Sequence, residues 1–218
     1  MNTANYKAIM KEELIVYIPK HFKLEDEEMI YDFIEKYGFA TLFSQHNGEP
    51  YATHLPLTLN KDERSLYGHF ARPNEQWKDI EGQQILAVFQ GPHCYISPSW
   101  YETMKAVPTW NYVSIHIYGK MEIVEEPKVI FDSLNDMVNK YESPNSLYNL
   151  NDVDSQFIEG MSKGIIAFRI NISKIEAKAK LSQNHPAERQ ELIIKQLERT
   201  SQQDNIQVAS LMRRNLQK

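Results

Sequence analysis

Two segments concentrate the aromatic and polar residues that can hold a ligand. One runs from Gln90 to Tyr101 and reads QGPHCYISPSWY, and the other runs from Val107 to Tyr112 and reads VPTWNY. Tryptophan and tyrosine combine a flat apolar face with a hydrogen-bonding edge, which suits a planar heteroaromatic ligand. A buried aromatic cluster with a purely structural role has the same composition, so both interpretations stay open.

Charged and titratable side chains stand close to predicted strands. Arg72 follows the segment Ser65–Ala71, and a planar guanidinium at a strand end can bind two phosphate oxygens. A surface salt bridge is the alternative for this arginine. His54, His69 and His93 are interpreted as structural histidines or, alternatively, as ligands of a metal ion.

Several classes of site are excluded by the absence of their signatures. The sequence contains no G-x-G-x-x-G, no phosphate-binding G-x-x-x-x-G-K-[ST], no H-E-x-x-H, no C-x-x-C and no G-x-S-x-G. Cys94 is the single cysteine, so an internal disulfide is impossible. The apolar run Leu14–Ile18 is too short for a signal peptide or a membrane span, and a cytoplasmic location is therefore expected.

Charge is unevenly distributed along the 218 residues. The whole chain has a net charge of -5, which argues against a broad nucleic-acid-binding surface. Residues 174–218 nevertheless contain nine basic and five acidic side chains. Solvated helix faces explain such a pattern, and docking of this tail onto the acidic body or onto a partner is the alternative.

Local patterns predict an antiparallel, mainly β fold with flanking helices. Short consecutive strands joined by tight turns favour a sheet or barrel over alternating β-α-β units. Asn47-Gly48 predicts a hairpin turn, and Pro56 predicts a bulge or an edge because proline cannot donate to a ladder. The predicted strands are Phe39–Gln45, Pro50–Leu59, Ser65–Ala71, Gln84–Gln90 with His93–Ser97, Asn111–Val124, Gly164–Ile172 and Lys174–Leu181. The predicted helices are Glu25–Tyr37, Pro73–Ile80, Pro127–Tyr141, 154–161, 186–199 and 204–215.

Six segments occur in the order of the signature blocks of one known family. They are HLPL at His54–Leu57, GHFARPNEQW at Gly68–Trp77, FQGPH at Phe89–His93, ISPSWY at Ile96–Tyr101, VPTWNY at Val107–Tyr112 and KLSQN at Lys180–Asn184. Together they resemble the PaiB-like negative transcriptional regulators from about Tyr17 onwards. Glu75 replaces the proline that is usual in that family, and His185 replaces an arginine, which predicts a weaker phosphate contact there.

The resemblance implies an FMN-binding split barrel that is antiparallel and has a helical C-terminal extension. It implies a homodimer with flavin sites at the subunit interface. It also implies negative regulation of sporulation and degradative-enzyme genes in Gram-positive bacteria. The expected division is an N-terminal extension at 1–16, the barrel at 17–182 and the helical extension at 183–218.

The same resemblance implies roles for residues of the flavin site. Arg72 and Lys180 are expected to bind the phosphate, and Ser182 and Gln183 are expected to donate neutral hydrogen bonds. Tryptophans, among them Trp100, are expected to close the ring slot. The complete set of expected FMN-binding residues is His54, Leu55, Pro56, His69, Ala71, Arg72, Asn74, Trp77, Gln90, Trp110, Lys180, Ser182 and Gln183.

Three functions remain as hypotheses. The first is a flavin-binding regulatory dimer, and the second is a flavin-dependent oxidoreductase of the same fold, since a fold does not fix a function. The third is direct DNA binding, which we expect to lie within residues 174–218, or action through a protein partner. No catalytic residue and no metal ligand is predicted.

Overall fold

A computed structural model describes residues 16–217, and its centre is one antiparallel sheet of seven strands. The strand order is β2-β1-β5-β6-β7-β4-β3. The strands are β1 (Phe39–His46), β2 (Glu49–Pro56), β3 (Thr58–Asn60), β4 (Ser65–Ala71), β5 (Gln84–Ile96), β6 (Thr109–Val124) and β7 (Ile165–Lys180).

In the described part of the chain, five α-helices flank this sheet. They are α1 (Glu27–Lys36), α2 (Pro127–Tyr141), α3 (Ser155–Ser162), α4 (Ala187–Leu197) and α5 (Gln203–Leu216). Asp26 caps α1 by accepting a hydrogen bond from the Met29 N–H, and Glu27 and Glu28 stabilise the same helix end. None of the helices within residues 16–217 is long and apolar enough to cross a membrane.

The curled sheet encloses a continuous apolar core. Alternate residues of each strand point inwards, as the period of two requires. Leu42, Leu57, Phe89, Ile115 and Phe168 are among those with at most 1% of their surface exposed. Helices α4 and α5 close one side through residues that belong to the same core, namely Ile193, Ile194, Leu197, Val208, Ala209 and Met212.

Two predicted strand boundaries were wrong. The segment Pro50–Leu59 was predicted as one strand, but it is divided at Leu57 because β2 pairs with β1 and β3 pairs with β4. Conversely, the segments Gly164–Ile172 and Lys174–Leu181 form the single strand β7. A bulge at Ser173 joins them, since Tyr118 pairs with Lys174 whereas Gly119 pairs with Ile172.

One predicted turn is confirmed, and the remaining differences from the predicted elements are local. Asn47 and Gly48 have φ values of 52° and 81°, which confirms the predicted hairpin turn. The predicted helix at Pro73–Ile80 is a 3-10 turn over Glu75–Asp79. Gln84–Gln90 and His93–Ser97 are continuous in β5, with a register shift between Gln90 and His93.

The bulge of β7 supplies a test of the fold. A Cβ atom on Gly119 would lie 2.6 Å from the carbonyl oxygen of Asn171, which is backbone and cannot rotate away. We therefore expect Gly119→Ala to lower the free energy of unfolding by about 1–3 kcal/mol in urea titrations. Gly160→Ala is the control, because nothing lies within 4 Å of that position. It should stabilise α3 by roughly 0.5–1 kcal/mol. Equal stability of the two variants would contradict the bulge geometry.

Candidate functional site

An open seam separates β2 from β4. Strand β3 pairs with β4 through Thr58–Tyr67 and Asn60–Ser65, whereas the Leu57 N–H donates to the Gly38 carbonyl at 2.9 Å. In an antiparallel strand, successive residues direct their backbone groups to opposite sides. The backbone of Pro56 therefore faces β4, and proline has no N–H to offer. Pairing with β4 ends at this residue.

Four of the expected FMN-binding residues lie along the outer side of the seam. Strands β2 and β4 approach each other without pairing, and extrapolation of the β3–β4 register past Leu57 would set Pro56 towards His69 and His54 towards Ala71. These side chains lie on the outer face, because the intervening Leu55 and Phe70 point inwards and are 4% and 1% exposed. Leu55 thus contributes to the floor of the seam.

Backbone N–H groups line the seam without a ladder partner. The Arg72 N–H donates to the Gly164 carbonyl at 2.8 Å and so faces β7. Because backbone groups alternate in direction along a strand, the N–H groups of His69 and Ala71 face the opposite side, towards β2. The His54 N–H faces them from the opposite side. Within residues 16–217 no ladder joins β2 to β4. A ligand with a polar edge can accept hydrogen bonds from such an unpaired strand edge.

Arg72 stands at the end of the seam and is held by backbone groups. Its Nε donates to the Lys163 carbonyl at 2.5 Å, and its Nη2 donates to the Ile165 carbonyl at 2.9 Å. No ion pair in residues 16–217 includes this arginine, so the surface salt bridge considered above is not found. A guanidinium fixed in place, and without a carboxylate partner in this part of the chain, is suited to bind a phosphate.

The segment Asn74–Trp77 positions Arg72. The Asn74 side chain accepts from the Gln76 N–H at 3.0 Å and donates to the Thr53 hydroxyl at 2.9 Å. Gln76 is fully buried, and its side chain donates to the Ser44 hydroxyl at 2.9 Å. The indole of Trp77 donates to the Arg72 carbonyl at 2.8 Å. These contacts fix the turn after β4 against the β1–β2 hairpin.

Three other expected residues share the outer sheet face but lie away from Arg72. Gln90 is exposed on β5, and Trp110 is 53% exposed beside the Tyr95 ring at 6.2 Å. Lys180 donates to the Thr109 hydroxyl at 2.6 Å, and burial together with Lys178 lowers its pKa. Arg72 adjoins the start of β7 and Lys180 ends that strand, so the two cations lie at its opposite ends.

Ser182 and Gln183 are engaged within the chain. Ser182 is 2% exposed, and its hydroxyl exchanges hydrogen bonds with the Asn111 side chain at 3.0 and 3.2 Å. Gln183 donates to the Ala179 carbonyl at 2.6 Å and accepts from the Leu181 N–H at 2.7 Å. Both side chains hold the turn between β7 and α4.

Phe39 belongs to the site surroundings, although the sequence analysis did not single it out. Its ring stacks on His54 with a centroid distance of 6.5 Å and an interplanar angle of 24°, and it is 64% exposed. The turn at Asn47-Gly48 sets Phe39 opposite Pro56 in the β1–β2 register, and this turn was the sequence signal that could have indicated Phe39.

His93 and Cys94 belong to β5, which borders neither β2 nor β4 on the side of the seam. His93 lies 3.6 Å from Asp204 and next to Trp110, far along β5 from the seam. Among residues 16–217 no group of three or more His, Cys, Asp or Glu side chains is arranged to hold a metal ion. Burial raises the pKa of Cys94 to about 12, which keeps this thiol protonated and unreactive.

Comparisons with known proteins decide the family. Residues 16–174 match the family model described as a putative FMN-binding domain. The chain is also 40% identical over 207 residues to the protease synthase and sporulation protein PAI 2 of Bacillus subtilis (strain 168), which covers 93% of this chain and 99% of that protein.

This chain belongs to the PaiB-like FMN-binding family. The expected family is thereby confirmed. An uncharacterized protein of Saccharomyces cerevisiae, YKL070W, is 32% identical over 139 residues, covering 52% of this chain and 82% of that one.

Solved structures confirm the split-barrel fold of this family member. The flavocytochrome Anf3 from Azotobacter vinelandii superposes with a TM-score of 0.60 at 17% identity, over 75% of this chain and 72% of that one. The conserved hypothetical protein Rv2991 from Mycobacterium tuberculosis gives 0.57 at 14% identity, over 78% and 94%. At such identities the likeness concerns the fold alone.

The half-buried His69 makes stability depend on pH. Burial lowers its pKa, so below about pH 6.5 the unfolded chain takes up a proton that the folded chain does not. The free energy of unfolding should therefore fall as the pH decreases from 7.5 to 5.5. We expect His69→Gln to reduce this slope by up to about 1.4 kcal/mol per pH unit in urea titrations. An unchanged slope in His69→Gln would contradict the assignment.

Proposed function

We propose that this chain binds FMN along the seam between β2 and β4 and acts as a homodimeric, cytoplasmic regulator of PaiB type. The observation that carries the proposal is the combination of unpaired backbone donors at the seam with a guanidinium fixed at its end. The name of the Bacillus subtilis relative, a sporulation protein, supports negative regulation of sporulation and degradative-enzyme genes.

The residues of the seam fit the chemical parts of FMN. Arg72 would hold the phosphate, since two of its N–H groups are fixed by carbonyls and the others remain for an anion. The N–H groups of His54, His69 and Ala71 would donate to the polar edge of the ring. The stacked rings of Phe39 and His54 offer a flat surface beside it. When bound, FMN supplies reversible hydride chemistry, while the chain supplies its orientation.

The role of Arg72 is testable with two flavins. We expect FMN to raise the melting temperature of the wild-type protein, because a ligand of the native state stabilises it by mass action. Arg72→Gln should weaken FMN binding roughly 10- to 100-fold, since a hydrogen bond to a charged group contributes about 1.5–3 kcal/mol. Riboflavin, which lacks the phosphate, should bind both proteins equally. The measurement is quenching of flavin fluorescence on titration.

A matched control separates this effect from a general loss of charge. Arg199 is exposed just after α4, in a part of the chain that does not border the seam, and Arg199→Gln should bind FMN as the wild type does. The absence of any FMN-induced thermal shift, or equal weakening of riboflavin binding by Arg72→Gln, would overturn the proposed site.

An exposed apolar sheet face supports the homodimer. Phe39 and Phe43 lie on the outer face of β1 and are 64% and 39% exposed. Phe43 pairs with Leu86 of β5, which extends the apolar face across two strands. Contiguous exposed apolar surface of this kind marks an interaction site. Because Gln90, Trp110 and Lys180 occupy the far end of the same outer face, a two-fold arrangement would bring a second copy of them to the seam.

A charge placed within this face tests the interface. We expect Phe43→Glu to give a monomer in light scattering coupled to size exclusion, because a buried, unpaired carboxylate is strongly destabilising. Its FMN affinity should fall at least tenfold. Phe157→Glu is the control, since Phe157 is 60% exposed on α3 and lies outside this face. A Phe43→Glu protein that folds, by circular dichroism, and remains dimeric would refute this interface.

The basic tail supports action through a partner protein better than direct DNA binding. Lys174 pairs with Glu176 at 2.8 Å, Arg213 pairs with Glu198 at 2.7 Å, and Arg189 pairs with Glu102. Intramolecular pairs of this kind reduce the positive charge available to phosphates. Direct DNA contact through residues 174–218 stays a prediction, as does the alternative of a flavin-dependent oxidoreductase.

A further inference from the structure

A second cavity lies outside the proposed flavin seam, between α2, α3 and the end of β4. Its volume is about 470 Å³, which is within the range of small-molecule sites. Apolar side chains from α2, from α3 and from the 3-10 turn Leu150–Asp152 and its surroundings form the walls. They are Pro127, Ile130, Phe131, Leu150, Val153 and Ile158.

The helices that form this cleft are incompletely packed. Neither α2 nor α3 contributes a fully buried side chain, in contrast to α4 and α5. Ile130, Phe131 and Ile158 are half-buried and face the cleft. Apolar surface left open to water favours an apolar occupant, because the occupant removes that surface from water.

The charged residues at the rim of the cleft favour a negatively charged ligand. Arg72 and Lys163 both line it, and Glu159 lies 3.8 Å from Lys163. The rim therefore carries a net charge of one positive unit. The charge of Lys163 is offset by Glu159, whereas no carboxylate within residues 16–217 pairs with Arg72, whose guanidinium is held by two carbonyls. A single anionic group fits this arrangement.

We propose that the cleft between α2, α3 and β4 binds an organic monoanion of the carboxylate class, with its charged group on Arg72 and its apolar body between the two helices. The apolar walls select a hydrocarbon or aryl body, and the positive rim excludes amines. The apolar walls come from α2, α3 and the turn at Leu150–Asp152, which lie outside the seam, so Arg72 is the residue that this site shares with the proposed flavin site.

The experiment titrates flavin-free, full-length protein with octanoate and follows binding by calorimetry. Octan-1-ol and octylamine are matched probes that remove or reverse the charge. We expect octanoate to bind at least tenfold more tightly than either. Ile158→Glu should weaken octanoate binding at least tenfold, because it places a carboxylate on the apolar wall of the cleft. Phe157→Glu adds the same charge to the same helix but does not line this cleft, and it should bind as the wild type does.

Two variants separate this site from the flavin seam. Arg72→Gln should weaken the binding of both octanoate and FMN, whereas Ile158→Glu should weaken the binding of octanoate alone. Retained FMN binding also shows that Ile158→Glu is folded. Should octan-1-ol bind as tightly as octanoate, or should Ile158→Glu leave octanoate binding unchanged, the cleft is not an anion site. A wild-type protein that binds octanoate but no FMN would leave this proposal intact while refuting the flavin proposal.

Discussion

A missing backbone donor determines how this barrel closes. Pro56 stands where the backbone of the chain turns towards β4, and it cannot continue the pairing that Thr58 and Asn60 make with that strand. The sheet consequently stays open between β2 and β4 while six other strand pairs close around the core. An open sheet edge of this kind leaves N–H groups without a ladder partner. A ligand that accepts hydrogen bonds from those groups would therefore stabilise the fold that binds it.

A buried polar network holds the two sides of the seam at a fixed distance. Asn74 and Gln76 follow β4 but bond to Thr53 and Ser44 on the β1–β2 hairpin, so the turn acts as a brace across the opening. Gln76 is completely buried with its side-chain amide satisfied, which is the condition under which a polar group in a core gives rigidity. The position of Arg72 follows from the same brace, because Trp77 binds its carbonyl.

The sequence predicted those features that depend on local chemistry. The hairpin turn at Asn47-Gly48, helix α2 and the edge character of Pro56 follow from backbone preferences of single residues. The ordered blocks predicted the family and its barrel. Local patterns failed where the pairing partner decides the bounds of a strand. Leu57 divides one apolar run, because the two halves of the run pair with different strands. Ser173 joins two runs into one strand, because a bulge absorbs the extra residue. For the same reason the sequence could not show that Ser182 bonds to Asn111, seventy-one residues away.

The shared guanidinium connects the two proposed sites. Arg72 borders both the seam and the cleft, and its two fixed hydrogen bonds leave a limited set of donors for any anion. An FMN phosphate and a carboxylate would compete for those donors, so occupation of the cleft would weaken flavin binding. Thermodynamic reciprocity then requires that bound FMN lower the affinity for the carboxylate by the same factor. For the proposed regulator, such coupling would let the level of a small organic acid set the flavin occupancy.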